Sequence, residues 1–134
     1  MSQENVEIVR RLYECWAAAE LDRMPEMLHP EIVWTAIESA PDSGTRHGHA
    51  GASAYMNDWL QGFDLGEMSV EELGTIADGC LVCALDAAAT EKRSGLTTEI
   101  HFAGVFRFAD DGRIRYIHEY ARPEDALEAV GLTE

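Results

Sequence analysis

The segment "CLVCALDAAATEKRSGLTTEIHFAGVFRFADDGRIRYIHEYA", Cys80 to Ala121, decides the fold, because it reads as three consecutive strands joined by tight turns. The turns are "RSG" (Arg93 to Gly95) and "DDG" (Asp110 to Gly112), and both compositions are typical of β-hairpins. A further strand, "MSVEELGTIA" from Met68, comes just before the turn at Asp78-Gly79. The segment therefore predicts an antiparallel meander of four strands.

The N-terminal part of the chain reads as a helical hairpin. Gln3 to Glu20 carries apolar residues at helical spacing, and Ser2 precedes it as a possible cap. The following "ELDRMPEMLHPE" predicts a short second helix, with Pro25 in its first turn and His29-Pro30 ending it.

One strand and two more helices complete the pattern. Glu31 to Glu38 alternates as a strand and leads into a loop rich in Gly, Ser and Pro, Ser39 to Gly48. A third helix is expected over "HAGASAYMNDWLQGF", His49 to Phe63, and a short C-terminal helix over "RPEDALEAVGL", Arg122 to Leu132. We predict an α+β protein in which three N-terminal helices wrap a strongly bent antiparallel sheet as a cone-shaped barrel, with residues 1–134 forming a single domain.

Charge and hydropathy exclude several classes of partner. The chain has 10 Lys and Arg against 25 Asp and Glu, a formal net charge of -15. This charge repels nucleic-acid phosphates and anionic membrane surfaces. The apolar runs are too short to span a membrane, and the N-terminus lacks a basic leader followed by an apolar core. We expect a cytoplasmic protein without nucleic-acid or membrane partners.

Cysteines and histidines give no metal or redox signature. Cys80 and Cys83 form a C-x-x-C within an apolar strand, where buried thiols are more common than metal ligands, and Cys15 lies in the first helix. No acidic cluster accompanies the histidines. No glycine-rich nucleotide loop is present. We therefore predict that the protein uses no cofactor and no metal.

Four segments of the sequence together suggest a known family: the opening "ENVEIVRRLYECWAAAELDRMPEMLHPEIVW", "GHAG" before "YMNDWL", "GVFRFADDGRIRYIHEY" and "RPEDALEAVGL". They resemble the SnoaL-like branch of the nuclear-transport-factor-two-like superfamily, which includes polyketide cyclases, ketosteroid isomerase and limonene epoxide hydrolase. The resemblance covers nearly the whole chain, and it implies the same cone-shaped α+β fold with a ligand pocket inside.

The resemblance also implies catalytic positions. Glu38 stands where isomerase-like members carry a proton-shuttling carboxylate, and Glu119 where epoxide-hydrolase-like members place a carboxylate in the last strand. Tyr13 falls one residue from the isomerase-like tyrosine position. The chain departs from the hydrolase pattern, since Leu85 and Ala87 replace the Arg-x-Asp pair.

Strand alternation, taken with the resemblance, predicts an apolar and aromatic pocket around these acids. A carboxyl group in such a pocket should have a raised pKa, suited to general acid or base work. Two other roles stay open: Glu38 could cap the following loop, and Glu119 could pair with Arg115 or Arg122. The expected ligand-binding residues are Trp16, Trp34, Trp59, Phe63, Ile100, Phe102 and Ile117.

The opposite, convex face of the sheet also looks apolar. An exposed apolar patch of this size suggests burial against a second copy, so a homodimer is expected. His101, His118 and Asp86 should lie on this outer side. The apolar residues assigned to it are Val82, Ala84, Ala103, Val105, Tyr116 and Tyr120.

Two functions are consistent with these patterns. The first is a pocket protein that binds a small, mostly apolar and cyclic molecule without catalysis. The second is a cofactor-independent isomerase, cyclase or lyase that transfers a proton next to a carbonyl group, with Glu38 as the base and Glu119 or Tyr13 stabilising the developing charge. The aromatic lining and the missing Arg-x-Asp pair favour the first function, and the second is the alternative.

Overall fold

The computed structural model describes residues 2–37, 44–76 and 79–132. In chain order the helices are α1 (Ser2–Ala17), a 3₁₀ helix (Leu21–Glu26), α2 (Gly48–Gly62) and α3 (Pro123–Ala129). The strands are β1 (Leu28–Thr35), β2 (Thr45–His47), β3 (Phe63–Ile76), β4 (Cys80–Glu91), β5 (Thr97–Phe108) and β6 (Ile114–Tyr120). No helix of these described ranges is long and apolar enough to cross a membrane.

The strands form one curved, unclosed sheet in the order β2-β1-β6-β5-β4-β3. The predicted meander is confirmed, because β3 to β6 pair antiparallel with their neighbours in sequence. The sheet is mixed and not antiparallel throughout, since β1 pairs parallel with β6. The α+β class and the helical cover predicted from the sequence are confirmed.

The boundaries near β1 differ from the prediction. Leu28 already belongs to β1, so His29-Pro30 lies inside a strand instead of ending a helix. Proline lacks the N–H that a regular ladder needs, and the β1–β6 register shifts between Leu28 and Val33, around this proline. The second helix is correspondingly a short 3₁₀ helix. The first residues of the predicted loop are outside the described ranges, and its end forms β2.

Alternation along β4 and β5 divides the apolar side chains between the two faces of the sheet. Leu81, Cys83 and Leu85 join the main core beneath α1 and α2, together with Phe102 and Phe106. The two cysteines of C-x-x-C are both buried, but Cys80 belongs to the opposite face. A spacing of three residues on a strand places them on different faces, so they do not form a ligand pair.

The convex face is covered by the chain itself. Cys80, Val82, Ala103 and Val105 form a second cluster with Ala126 of α3, and each of these five residues is buried. The expectation of an exposed apolar patch is therefore wrong for Val82, Ala103 and Val105. Three other members of the predicted patch, Ala84, Tyr116 and Tyr120, are half-buried. The homodimer stays a prediction.

The position of α3 can be tested with two chemically identical substitutions. Ala126→Asp buries a charge beneath α3 and should lower the free energy of unfolding by about 2 kcal/mol or more. Ala129→Asp places the same group on the exposed side of that helix and should change it by less than about 1 kcal/mol. Urea unfolding followed by circular dichroism measures both. Equal effects of the two variants would contradict the docking of α3.

Candidate functional site

Glu119 is the one buried charged side chain among the described residues, with 3% of its surface exposed. It lies on β6, opposite Gly104 of β5. Ile117 and Glu119 both point toward the main core, as the alternation predicts, and Ile117 is wholly buried. The strand therefore carries a carboxyl group into a region where an unpaired charge is costly.

Two tyrosine hydroxyls hold this carboxyl group. Tyr13 of α1 donates a hydrogen bond to Glu119 Oε2, and Tyr55 of α2 donates one to Oε1, each at 2.9 Å. Tyr13 is wholly buried, and Tyr55 is 1% exposed. The carboxyl group thus connects β6 to both long N-terminal helices.

Burial raises the pKa of the Glu119 carboxyl to about 7, since desolvation disfavours its charged form. The hydrogen bonds from Tyr55 and Tyr13 act in the opposite direction and lower the pKa, as does the backbone N–H of Ile37. Trp34 also lowers it, although its indole N–H makes no hydrogen bond of standard geometry within the described ranges. Near neutral pH, both forms of Glu119 are therefore populated.

The two tyrosines stay protonated. Burial raises the pKa of each phenol, and the negative charge of Glu119 raises it further. Both groups therefore act as hydrogen-bond donors to the carboxylate at neutral pH.

The alternative in which Glu119 pairs with Arg115 or Arg122 is wrong. Arg115 lies 3.3 Å from Glu31, and Arg122 lies 3.6 Å from Asp125, both at the surface. Surface pairing keeps these guanidinium groups in water, whereas Glu119 points into the core. Instead of an arginine, the two tyrosine hydroxyls act as neutral hydrogen-bond donors to Glu119.

A small, mostly apolar cavity lies beside Glu119. Its volume is about 30 Å³, which is room for roughly one water molecule. The large hollow expected from the sequence is therefore mostly filled by the protein's own side chains. The lining residues are Trp16, Ile37, Tyr55, Trp59, Leu65, Met68, Ala87, Ile100, Phe102 and Glu119.

Four of the seven residues predicted to bind a ligand border this cavity: Trp16, Trp59, Ile100 and Phe102. The other three do not. Trp34 and Ile117 are wholly buried in the core, and Phe63 begins β3 instead of ending a helix. Phe63 packs on Trp59, with ring centroids 5.3 Å apart.

Aromatic rings occupy most of the space around the acid. Trp34 contacts Tyr13 and Tyr55 edge to face, with centroid separations of 6.4 and 5.4 Å. Phe106 meets Tyr13 in the same manner at 6.3 Å. The ring of Phe106 lies over Gly104, where a Cβ atom would stand 2.7 Å from it. Glycine at this position therefore makes room for the ring.

The remaining candidates lie elsewhere. Glu38 lies outside the described residues. His101 is exposed on the outer face, where its Nδ1 lies 2.5 Å from Asp86, as expected for these two residues. His118 stacks on Tyr120, also on the outer side. No group of three or more His, Cys, Asp and Glu side chains in the described ranges could hold a metal ion.

Sequence reasoning missed Tyr55. It shares one face of α2 with Ala52, Met56 and Trp59, so its burial is readable from helical spacing. Its hydrogen bond to Glu119 joins residues 64 positions apart, and no local pattern reports that contact.

Glu119 should make stability depend on pH. Its pKa is raised from 4.5 to about 7 on folding, so this group's contribution is complete below pH 4.5 and is lost as pH rises through about 7. The loss should be about 3 kcal/mol. Glu119→Gln should remove this slope, whereas Glu128→Gln on exposed α3 should keep it. Urea unfolding at several pH values compares the variants, and equal slopes for wild type and Glu119→Gln would refute the assignment.

Removing a tyrosine hydroxyl should raise the pKa of Glu119 further. Tyr13→Phe and Tyr55→Phe each delete a donor to the charged form, so each should raise the pKa by about one unit. Tyr116→Phe is the matched control, because that hydroxyl lies 3.3 Å from His118 on the outer face. ¹³C NMR titration of the glutamate carboxyl groups measures the change. An unchanged Glu119 pKa in both core variants would contradict the hydrogen-bonding scheme.

Comparison with known proteins agrees with the resemblance seen in the sequence. Several solved structures share the fold at low identity. A candidate isomerase from Bacillus subtilis has a TM-score of 0.76 and 19% identity, covering 96% of this chain and 94% of that one. The Δ5-3-ketosteroid isomerase of Mycobacterium sp. has a TM-score of 0.70 and 17% identity, covering 92% and 95%.

A third similar structure contains a steroid. It is RV0760c from Mycobacterium tuberculosis in complex with estradiol-17β-hemisuccinate, with a TM-score of 0.70 and 14% identity, covering 87% of this chain and 92% of that one. At these identities the likeness shows the fold alone. No curated protein sequence matches the chain significantly. The family model of the SnoaL-like domain matches residues 9–117, and the chain therefore belongs to the SnoaL-like domain family.

Proposed function

We propose that this protein binds a small, mostly apolar carbonyl compound in the cavity and moves a proton at the carbon next to the carbonyl group, with Glu119 as acid and base. The observation that carries the proposal is the burial of Glu119 at the wall of an apolar cavity, with its pKa raised to about 7. A general base works best when its pKa lies near the working pH.

The hydrogen bonds of Glu119 leave it able to accept a proton. A carboxylate offers about four lone-pair sites. Tyr13, Tyr55 and the backbone N–H of Ile37 act as donors to three of them, and the indole N–H of Trp34, which also lowers the pKa, makes no hydrogen bond of standard geometry with the described residues. The group is thus held in one orientation by donors from α1, α2 and the segment after β1, and it keeps capacity for one more proton.

The reaction needs no further reagent. Glu119 takes the proton as the C–H bond breaks, the electron pair of that bond forms a carbon–carbon double bond, and the carbonyl oxygen becomes negative. The protonated Glu119 exchanges its proton with solvent and returns one to the same carbon, which exchanges hydrogen in the substrate. Where the substrate has a β,γ double bond, Glu119 instead returns the proton to the γ carbon, and the double bond moves into conjugation with the carbonyl group.

Substrate entry requires movement of the cavity wall, because about 30 Å³ is smaller than any ring compound. Flexible apolar side chains line the space, among them Leu65, Met68 and Ile100. Methionine adapts readily to irregular spaces, which makes Met68 suited to such a shift. The names of the structural relatives, a ketosteroid isomerase and a protein in complex with an estradiol ester, support a cyclic and mostly apolar ligand.

A binding function without catalysis is the second candidate. It is favoured by the composition of the cavity wall, where Glu119 is the single ionisable carboxyl group among the described lining residues. Glu38, the base that the resemblance implies, would add a second carboxyl group. We also propose that the protein forms a homodimer and is cytoplasmic, as expected from the sequence.

Solvent hydrogen exchange tests the catalytic proposal without knowledge of the natural substrate. Acetophenone and cyclohexanone are incubated with the protein in D₂O, and mass spectrometry follows deuterium at the carbon next to the carbonyl. We expect exchange above the buffer rate, reduced roughly 10²-fold in Glu119→Gln. Glu38→Gln in the same assay shows whether the Glu38 carboxylate contributes to the exchange rate. Glu128→Gln serves as the surface control.

Two results would reject proton transfer by Glu119. One is exchange no faster than in buffer for both ketones. The other is a rate in Glu119→Gln equal to that of the wild type. Retained ketone binding with either result would favour the binding function instead.

A further inference from the structure

Polar atoms gather at one end of the cavity. Glu119 and the hydroxyl of Tyr55 are there, and Trp59, in the last turn of α2, borders the same space. The indole N–H of Trp59 lies near enough to Tyr55 to lower the pKa of that phenol. The rest of the lining is apolar, apart from the indole of Trp16, so the cavity has one polar end.

The indole N–H groups of Trp16 and Trp59 differ in their bonding. Trp16 Nε1 donates to the backbone oxygen of Met56 at 3.1 Å. Trp59 Nε1 is also buried from solvent, but it makes no hydrogen bond of standard geometry with any described residue. A buried donor that is poorly aligned with its neighbour loses part of the free energy of a hydrogen bond, and a well-placed ligand acceptor would recover it.

We propose that Trp59 determines ligand specificity, because its N–H, which makes no hydrogen bond of standard geometry with the described residues, donates one to an oxygen acceptor of the ligand at the polar end of the cavity. This inference rests on the proposed ligand site, and it names the ligand class: a neutral molecule, mostly apolar, with a carbonyl or ether oxygen. Anionic ligands are disfavoured by Glu119 and by the net charge of -15.

The same contact has a consequence for catalysis. When Glu119 removes a proton next to a carbonyl group, negative charge develops on the carbonyl oxygen. A fixed N–H donor at that oxygen stabilises the charge where it develops, without reorganisation of solvent. Trp59 and Glu119 would then act on adjacent atoms of one substrate.

The indole ring also limits ligand size. It borders the cavity and packs on Phe63, with ring centroids 5.3 Å apart. Cavities of about 150 Å³ are known to bind benzene, whereas this one is near 30 Å³. A ring compound therefore enters when flexible lining side chains such as Leu65 and Met68 shift, and its oxygen then meets the N–H of Trp59.

Two isosteric probes separate the hydrogen bond from hydrophobic contact. Acetophenone carries a carbonyl oxygen, and α-methylstyrene replaces it with a methylene group of nearly the same shape. Both are titrated into ¹⁵N-labelled protein, and the three indole N–H signals are followed by NMR. Trp59→Phe identifies the signal of Trp59, and the signal of Trp16, already bonded to Met56, is the internal control.

We expect acetophenone to shift the Trp59 signal to lower field and to bind about 3- to 10-fold more tightly than α-methylstyrene. Because ring-current effects are shared by the two probes, the difference between them reports the hydrogen bond. The preference should disappear in Trp59→Phe. If Trp59→Phe does not fold, the difference in affinity and in the Trp59 signal between the two probes on the wild type still tests the hydrogen bond.

Three results would overturn the inference. They are absence of acetophenone binding, equal affinity for the two probes, or equal shifts of the Trp59 signal with both. Its failure is distinguishable from failure of the proposed function. Deuterium exchange that depends on Glu119 but is unchanged in Trp59→Phe would reject the role of Trp59 alone, whereas probe discrimination without exchange would reject proton transfer alone.

Discussion

The structure depends on one buried carboxyl group and the two hydroxyls that hold it. Glu119 reaches inward from β6, and Tyr13 and Tyr55 reach it from the two long N-terminal helices, each at 2.9 Å. Desolvation opposes the charge, and the hydrogen bonds favour it. Because these effects act in opposite directions, the acid is poised near neutrality instead of being fully charged or fully neutral.

The sheet makes this arrangement possible by keeping its two faces separate. Alternation sends one set of side chains to the core beneath α1 and α2 and the other to the cluster beneath α3. Since the chain covers both faces, the inner face can hold a polar group among aromatic rings. The same dense packing leaves only a small cavity, so any ligand site must be completed by side-chain movement.

Much of the fold could be predicted from the sequence, because period-two alternation and hairpin turns are local signals. The meander, predicted from Met68 onward, and the inward direction of Glu119 follow from them, whereas the start of β3 at Phe63 was assigned to a helix. The strand carrying His29-Pro30 was mistaken for a helix end, since proline gives the same local signal in both settings. The three residues of β2 are too few to show a period.

The site was less predictable, because it depends on distant contacts and on volume. Tyr55 is a helix-face residue in sequence, and only the tertiary structure brings it to Glu119. The cover of Val82 and Val105 by α3 likewise depends on where the last helix packs. The aromatic residues predicted a pocket with an aromatic lining. Whether such a pocket stays open depends on the total volume of the side chains around it, and strand alternation gives no information on that volume.

The central claim is that Glu119 changes its protonation state near neutral pH inside the folded protein. Infrared difference spectra of wild type minus Glu119→Gln, recorded between about pH 5 and pH 9, isolate the carbonyl stretch of a protonated Glu119. The account predicts a band that fades with a midpoint near pH 7. A band that is already absent at the acid end of this range, as for an ordinary surface glutamate, would contradict it.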